Sequence, residues 1–136
     1  MLVWKNVADN QAIGVTVKMR ASGSSTSSGY ESIQTYAYQN AITSRYNYAG
    51  TDEWYGFDAS GNNRGNACAV MDLLYPYESS YTNIQVSANN QVEATGNILW
   101  SYMNGVLTNT TVYDGISIIA PLNVTGTLFV YGYAKE

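Results

Sequence analysis

Ile13-Gly14-Val15-Thr16-Val17-Lys18-Met19-Arg20 is the stretch whose reading decides the fold class. Apolar side chains stand at 13, 15, 17 and 19, while Gly, Thr and two cations fill the positions between them. A two-residue period sets one row of side chains against a core and the other in water, which is the pattern of a half-buried β-strand. The same period returns along the chain, and a helical period is sustained nowhere.

Working outward, Ser22-Gly23-Ser24-Ser25-Thr26-Ser27-Ser28-Gly29 reads as a flexible, exposed connection. From Tyr30 to Tyr48 the alternation resumes, with Tyr30, Ser32, Gln34, Tyr36 and Tyr38 on a partly exposed face and Glu31, Ile33, Thr35 and Ala37 on the other. Gly50 to Gly65 reads as loop or irregular strand around Trp54-Tyr55-Gly56-Phe57, with turn chemistry at Ser60-Gly61-Asn62-Asn63. Cys68 to Tyr77 sets Met71, Leu73, Tyr75 and Tyr77 against Val70, Asp72 and Leu74 until Pro76 breaks the ladder.

Ile84 and Val86 mark a short strand, Asn89-Asn90 a turn, and Val92 and Ala94 the next strand. Ile98, Trp100 and Tyr102 share a face leading into Asn104-Gly105, whose residue types suit the positive φ values of a type I′ hairpin. Ile116 and Ile118 form a buried face before Pro121, and Leu128 and Val130 oppose Phe129, Tyr131 and Tyr133 in a closing strand. Short strands at intervals of about ten residues, punctuated by turn signals, predict an all-β protein. The expected architecture is an antiparallel two-sheet β-sandwich, jelly-roll-like, in a single domain over residues 1–136.

Composition narrows the function. Charged residues make up 12% of the chain, about half the usual quarter, so the surface is one of hydroxyls and amides. Thirteen tyrosines against two phenylalanines suit half-buried pleated surface. A net charge of −4 with no basic run argues against nucleic acid as a ligand. The opening Met1-Leu2-Val3-Trp4-Lys5 lacks the pattern of a signal peptide, and no apolar run is long enough to span a bilayer, so a soluble chain with no membrane partner is expected.

With no His, the Ser-His, Cys-His and His-metal constellations are excluded, and the single Cys68 excludes an intrachain disulfide and the cysteine zinc sites. Asp52, Glu53, Asp58, Asp72 and Glu78 could in principle supply paired carboxylates for glycoside hydrolysis, but they read as solvated groups in polar loops or on an exposed strand face. Asp58, Ser60 and Asn62 alternate like the start of a calcium loop, yet Gly61 is misplaced and the closing Glu is missing. No enzyme activity, cofactor or metal is expected.

Three groups of residues resemble a family of phage virion-surface proteins built on β-sandwich domains. The opening Leu2-Val3-Trp4-Lys5-Asn6-Val7-Ala8-Asp9-Asn10 precedes a Val15-Thr16-Val17-Lys18-Met19-Arg20 strand and a Ser/Gly-rich loop. Gly65-Asn66-Ala67 leads into Leu73-Leu74-Tyr75-Pro76 and Tyr81-Thr82. The most specific part is Tyr113-Asp114-Gly115-Ile116-Ser117-Ile118 followed by Asn123-Val124-Thr125-Gly126-Thr127-Leu128-Phe129-Val130-Tyr131-Gly132-Tyr133. The resemblance implies a non-enzymatic structural protein on the virion surface, a capsid decoration or tail-associated protein, assembling as a homotrimer with other virion proteins as partners. Family members carry a further strand before the position where this chain starts, so the resemblance also implies an unfinished N-terminal edge that a neighbouring subunit would cover.

The aromatic set Tyr36, Tyr38, Tyr46, Tyr48, Trp54 and Tyr55 has the composition of a protein interface or a sugar-binding surface. Cross-strand packing is the competing reading for each single ring. The functional alternative is therefore a receptor- or glycan-binding module of a tail fibre, with a host surface glycan as the partner. Sequons at Asn109 and Asn123 are incidental on the phage-like reading.

Overall fold

The structure is a computed structural model that describes residues 2–8, 12–38, 41–60, 66–92, 97–120 and 124–132. In chain order the strands are β1 (Leu2–Ala8), β2 (Ala12–Ala21), β3 (Ser24–Ser25), β4 (Tyr30–Tyr38), β5 (Ala41–Thr51), β6 (Trp54–Ser60), β7 (Asn66–Leu74), β8 (Thr82–Val92), β9 (Asn97–Leu107), β10 (Gly115–Ile119) and β11 (Val124–Val130). No helix occurs among the described residues. Seven strands form a large sheet in the order β11-β1-β7-β8-β9-β4-β5. In the small sheet β2 is central, with β10 on one side and β6 and β3 also paired to it. Every pairing is antiparallel, and the two sheets enclose one apolar core, the sandwich expected.

The alternation of β2 holds: Val15, Val17 and Met19 are buried, and Lys18 on the other face pairs with Asp52 at 3.0 Å. Facing them from the large sheet are Ala69 and Met71 of β7, Ile84, Val86 and Ala88 of β8, and Met103 and Leu107 of β9. Ile116 and Ile118 of β10 stand opposite Met19 and Val17 and close the core on that side.

Among the described residues the largest fully buried side chain is Trp54, at the start of β6. Its backbone pairs with Val17, its ring meets Tyr30 edge-to-face with centroids 4.9 Å apart, and its indole N–H donates to the Val106 carbonyl at 3.2 Å. This is possible because β9 has no side chain at Gly105. A Cβ there would lie 2.7 Å from Trp54 Nε1 and 2.8 Å from Ile84 Cγ2. Asn104-Gly105 is therefore no hairpin: both residues lie inside β9, and Gly105 is flanked by Ser32 and Ile84 in the ladders. The dipeptide suited a turn because glycine permits positive φ, but here its missing Cβ is what the fold uses.

The hairpin chemistry sits instead at Ser22-Gly23, with φ values of 50° and 81° between the paired Ala21 and Ser24, so the Ser/Gly-rich stretch opens with a tight type I′ turn. Asn89-Asn90 is no turn either. Both residues are paired within the continuous β8, Asn90 opposite Leu99 and Asn89 between Cys68 and Trp100. Residues 50–60 are regular strand at both ends, joined at Asp52-Glu53, while the predicted turn at 61–63, with Ala94 and Pro121, lies outside the described residues. Pro76 follows the end of β7, as expected. The opening strand is not an edge, because β1 pairs with β7 on one side and β11 on the other.

The Tyr face of β4 also departs from expectation. Tyr30, Ser32 and Gln34 are buried, and Ile33 is on the solvent side. Burial of Tyr30 repairs a gap in the small sheet. Pairing of β2 with β6 stops at Val17 and pairing with β3 begins at Arg20. Between them the Met19 N–H donates to the Tyr30 hydroxyl at 2.8 Å, and the Met19 carbonyl accepts from the Thr26 N–H at 2.9 Å. Ser32 is small and lies beside Gly105, so the two together make the dent that Trp54 fills.

Two outcomes follow from this core. In urea titration Gly105→Ala should lose about 1–3 kcal/mol by overpacking, whereas Gly132→Ala, whose added Cβ meets nothing within 4 Å, should leave the midpoint unchanged. Burial pushes the Tyr30 hydroxyl from 10.0 up to about 12. The folded chain thus holds that proton more tightly than the unfolded chain, so the associated stability is complete below pH 10.0 and drains away as pH rises toward about 12. Tyr30→Phe should flatten that alkaline loss in chemical unfolding followed against pH, at a cost near neutrality of about 1–3 kcal/mol for the orphaned Met19 N–H.

Candidate functional site

The fold takes Trp54 out of the aromatic set singled out in the sequence. Trp54 is fully buried within its own chain and has no surface to offer a ligand. Tyr55, its neighbour on β6, points to the opposite side of the small sheet, where its ring lies over Gly14. Tyr36 is half-buried on β4 opposite Ser101 and Thr43. Tyr38 stands opposite Ala41 and Leu99, Tyr46 opposite Ile33, and Tyr48 falls within the register shift between β4 and β5. Trp54 and Tyr55 therefore form no common surface.

A different aromatic pair does. Trp100 and Tyr102, two residues apart on β9, lie on the outer face of the large sheet with rings parallel to within 4° and centroids 6.4 Å apart. Trp100 is 41% exposed. Because β9 is central, register fixes their neighbours on both sides. Trp100 lies between Asn89 of β8 and Ala37 of β4, with Ile42 of β5 beyond. Tyr102 lies between Ser87 and Thr35, with Ser44 beyond, and the next row is Gln85, Asn104 and Ile33. The Tyr102 hydroxyl donates to Asn104 Oδ1 at 3.3 Å, and Thr35 and Ser44 hydroxyls approach to 3.5 Å. The i, i+2 spacing of Trp100 and Tyr102 was readable; their exposure was not, since alternation does not say which face a second sheet covers.

A second exposed feature is β11, at one edge of the large sheet. Leu128 and Val130 fall on the same side of the sheet as the core, in register with β1 positions opposite Ala69 and Met71, yet Val130 is 71% exposed. Phe129, on the other side, is also exposed. The small sheet does not reach this far: β6, its closest strand to the large sheet, lies chiefly over β8 and β9. At the opposite edge, residues 41–44 of β5 are exposed on both faces.

Of the carboxylates, Asp52 is engaged by Lys18. The Lys18 ammonium bonded to Asp52 holds that carboxyl below its usual range, and the same bond raises Lys18, with Glu53 3.7 Å away. A general acid needs the opposite shift. An exposed pair of this kind contributes little to stability. Among the described residues no three His, Cys, Asp or Glu side chains converge as a metal site, and Asp58 and Ser60 of the calcium-like pattern are paired within β6. The sequon residue Asn109 is committed internally, its side-chain carbonyl accepting from the Tyr113 hydroxyl and the Thr111 N–H; Asn123 is outside the described residues.

No family model, no curated protein and no solved structure matches this chain.

The exposure of Trp100 and the burial of Trp54 should separate in iodide quenching of tryptophan fluorescence. Trp100→Phe should remove most of the quenchable signal contributed by these two residues, and Trp54→Phe should leave the quenchable fraction intact. Equal loss from both variants would contradict the placement.

Proposed function

We propose that the chain is a non-enzymatic structural protein of a bacteriophage particle, a capsid decoration or other surface protein that assembles with copies of itself. The observation that carries the assembly is the β11 edge, with Leu128, Phe129 and Val130 exposed across both faces of a sheet margin that no further strand pairs among the described residues. An exposed apolar edge strand is a template for pairing, and proteins cover such edges or blunt them with charge or proline. The exposed run Leu128-Phe129-Val130 has neither. Covering it with a surface of another copy removes apolar area from water and satisfies the outward edge N–H and C=O groups together.

The placement on a virion rests on the resemblance of the opening strand, the Tyr75-Pro76 corner and the Gly126-to-Tyr133 close to phage surface proteins; three copies is the stoichiometry that resemblance implies. The absence of His from the whole chain and the ionised state of the paired Asp52 support a non-enzymatic role. Of the glycan-binding alternative, the Trp54 part is lost, since that ring is internal.

Sedimentation and light scattering of the full chain should show an oligomer that Val130→Lys and Phe129→Glu each convert to monomer. Melting of the variant monomers should remain cooperative, because both positions lie outside the core. A wild-type chain that stays monomeric up to its solubility limit would refute assembly through this edge.

A further inference from the structure

We propose that the outer face of the large sheet around Trp100 and Tyr102 binds a neutral oligosaccharide. The inference is independent of the assembly proposal, because this patch, on β8, β9, β4 and β5, and the β11 edge are separated by β7 and β1.

The two rings are parallel, exposed or half-exposed, and mounted on the strand most firmly held by its neighbours, with β8 and β4 paired along its length. Around them, across β8, β9, β4 and β5, three consecutive rows are uncharged: Asn89, Trp100, Ala37 and Ile42, then Ser87, Tyr102, Thr35 and Ser44, then Gln85, Asn104, Ile33 and Tyr46; the third row meets Asp72 on β7 and the first reaches Lys5 two strands away on β1. Flat rings set among amides and hydroxyls match a sugar, which offers an apolar C–H face to an aromatic ring and hydroxyls to the amides.

Other occupants fit less well. An apolar protein surface would bury the amides and hydroxyls without partners. Nucleic acid would need cations, and these rows hold no Lys or Arg. Carboxylates border one end, Glu31 opposite Val106 and Asp72 opposite Gln85, and they disfavour an anionic saccharide.

The test is an array of neutral oligosaccharides of glucose, galactose, mannose and N-acetylhexosamines alongside sialylated and sulfated ones, followed by calorimetry on any neutral hit. The wild-type chain should bind at least one neutral structure and no acidic one preferentially. Trp100→Ala and Tyr102→Ala should each weaken binding by about tenfold, and Trp100→Phe should recover most of the loss. Both positions are at the surface, so thermal melting verifies that the variants are folded. Absence of any neutral ligand, a preference for acidic glycans, capture only of protein, or undiminished binding by folded Trp100→Ala would each overturn the proposal.

Discussion

The indole of Trp54 resting against the bare Cα of Gly105 sets the geometry on which the rest of the structure depends. It ties the start of β6 to the C-terminal end of β9 through packing and through the hydrogen bond to Val106, and it stacks edgewise on Tyr30 of β4. Losing a buried Trp costs about 3–5 kcal/mol, a large part of the roughly 5–15 kcal/mol by which domains are stable. The bulge between Val15 and Thr16 serves the same contact. It lets β6 keep pairing with β2 on either side of Gly56 while Trp54 enters the core and Tyr55 turns away.

Where Trp54 is anchored decides what is left open. The small sheet is pinned over β8, β9 and β4, and the seven-stranded sheet is too wide for it to cover. Leu128 and Val130 consequently fall on the core side of the large sheet but beyond the core. The apolar pattern of β11 is that of a buried strand, and what buries it is not in this chain's described residues. This mismatch between pattern and environment is the physical basis for treating the molecule as a building block. The outer face, by contrast, never faces a second sheet, and its rings and amides are available to a wet, polar ligand.

Much of the fold was legible because burial and alternation agree in β2 and in β7 as far as Leu74, beyond which Tyr75 turns to positive φ and is exposed; in β10 Ile116 and Ile118 pack on the core but are only half-buried, as Ser117 between them is. The failures have particular causes. At Asn104-Gly105 one residue type serves two purposes, positive φ or absence of a Cβ, and only the position of Trp54 distinguishes them. In β4 polarity misled: Ser32 and Gln34 point inward and Ile33 outward, because Ser32 is chosen for smallness beside Gly105. Two adjacent asparagines in β8 looked like a turn, yet paired strands on both sides hold Asn89 extended. The Trp54 part of the aromatic site failed for a tertiary reason. Trp54 and Trp100 are equally plausible surface rings in sequence, and only the coverage of one face by the small sheet separates them.

The claim that a second copy covers the β11 edge is tested most directly by amide hydrogen exchange of β11 measured as a function of protein concentration. The account predicts that those amides over Thr127–Val130 that point away from β1 exchange quickly in dilute solution and become protected as concentration rises, in step with the measured oligomer mass, while the β8 and β9 amides stay protected throughout. Fast exchange of β11 at every concentration, or protection already complete in the dilute monomer, would contradict it.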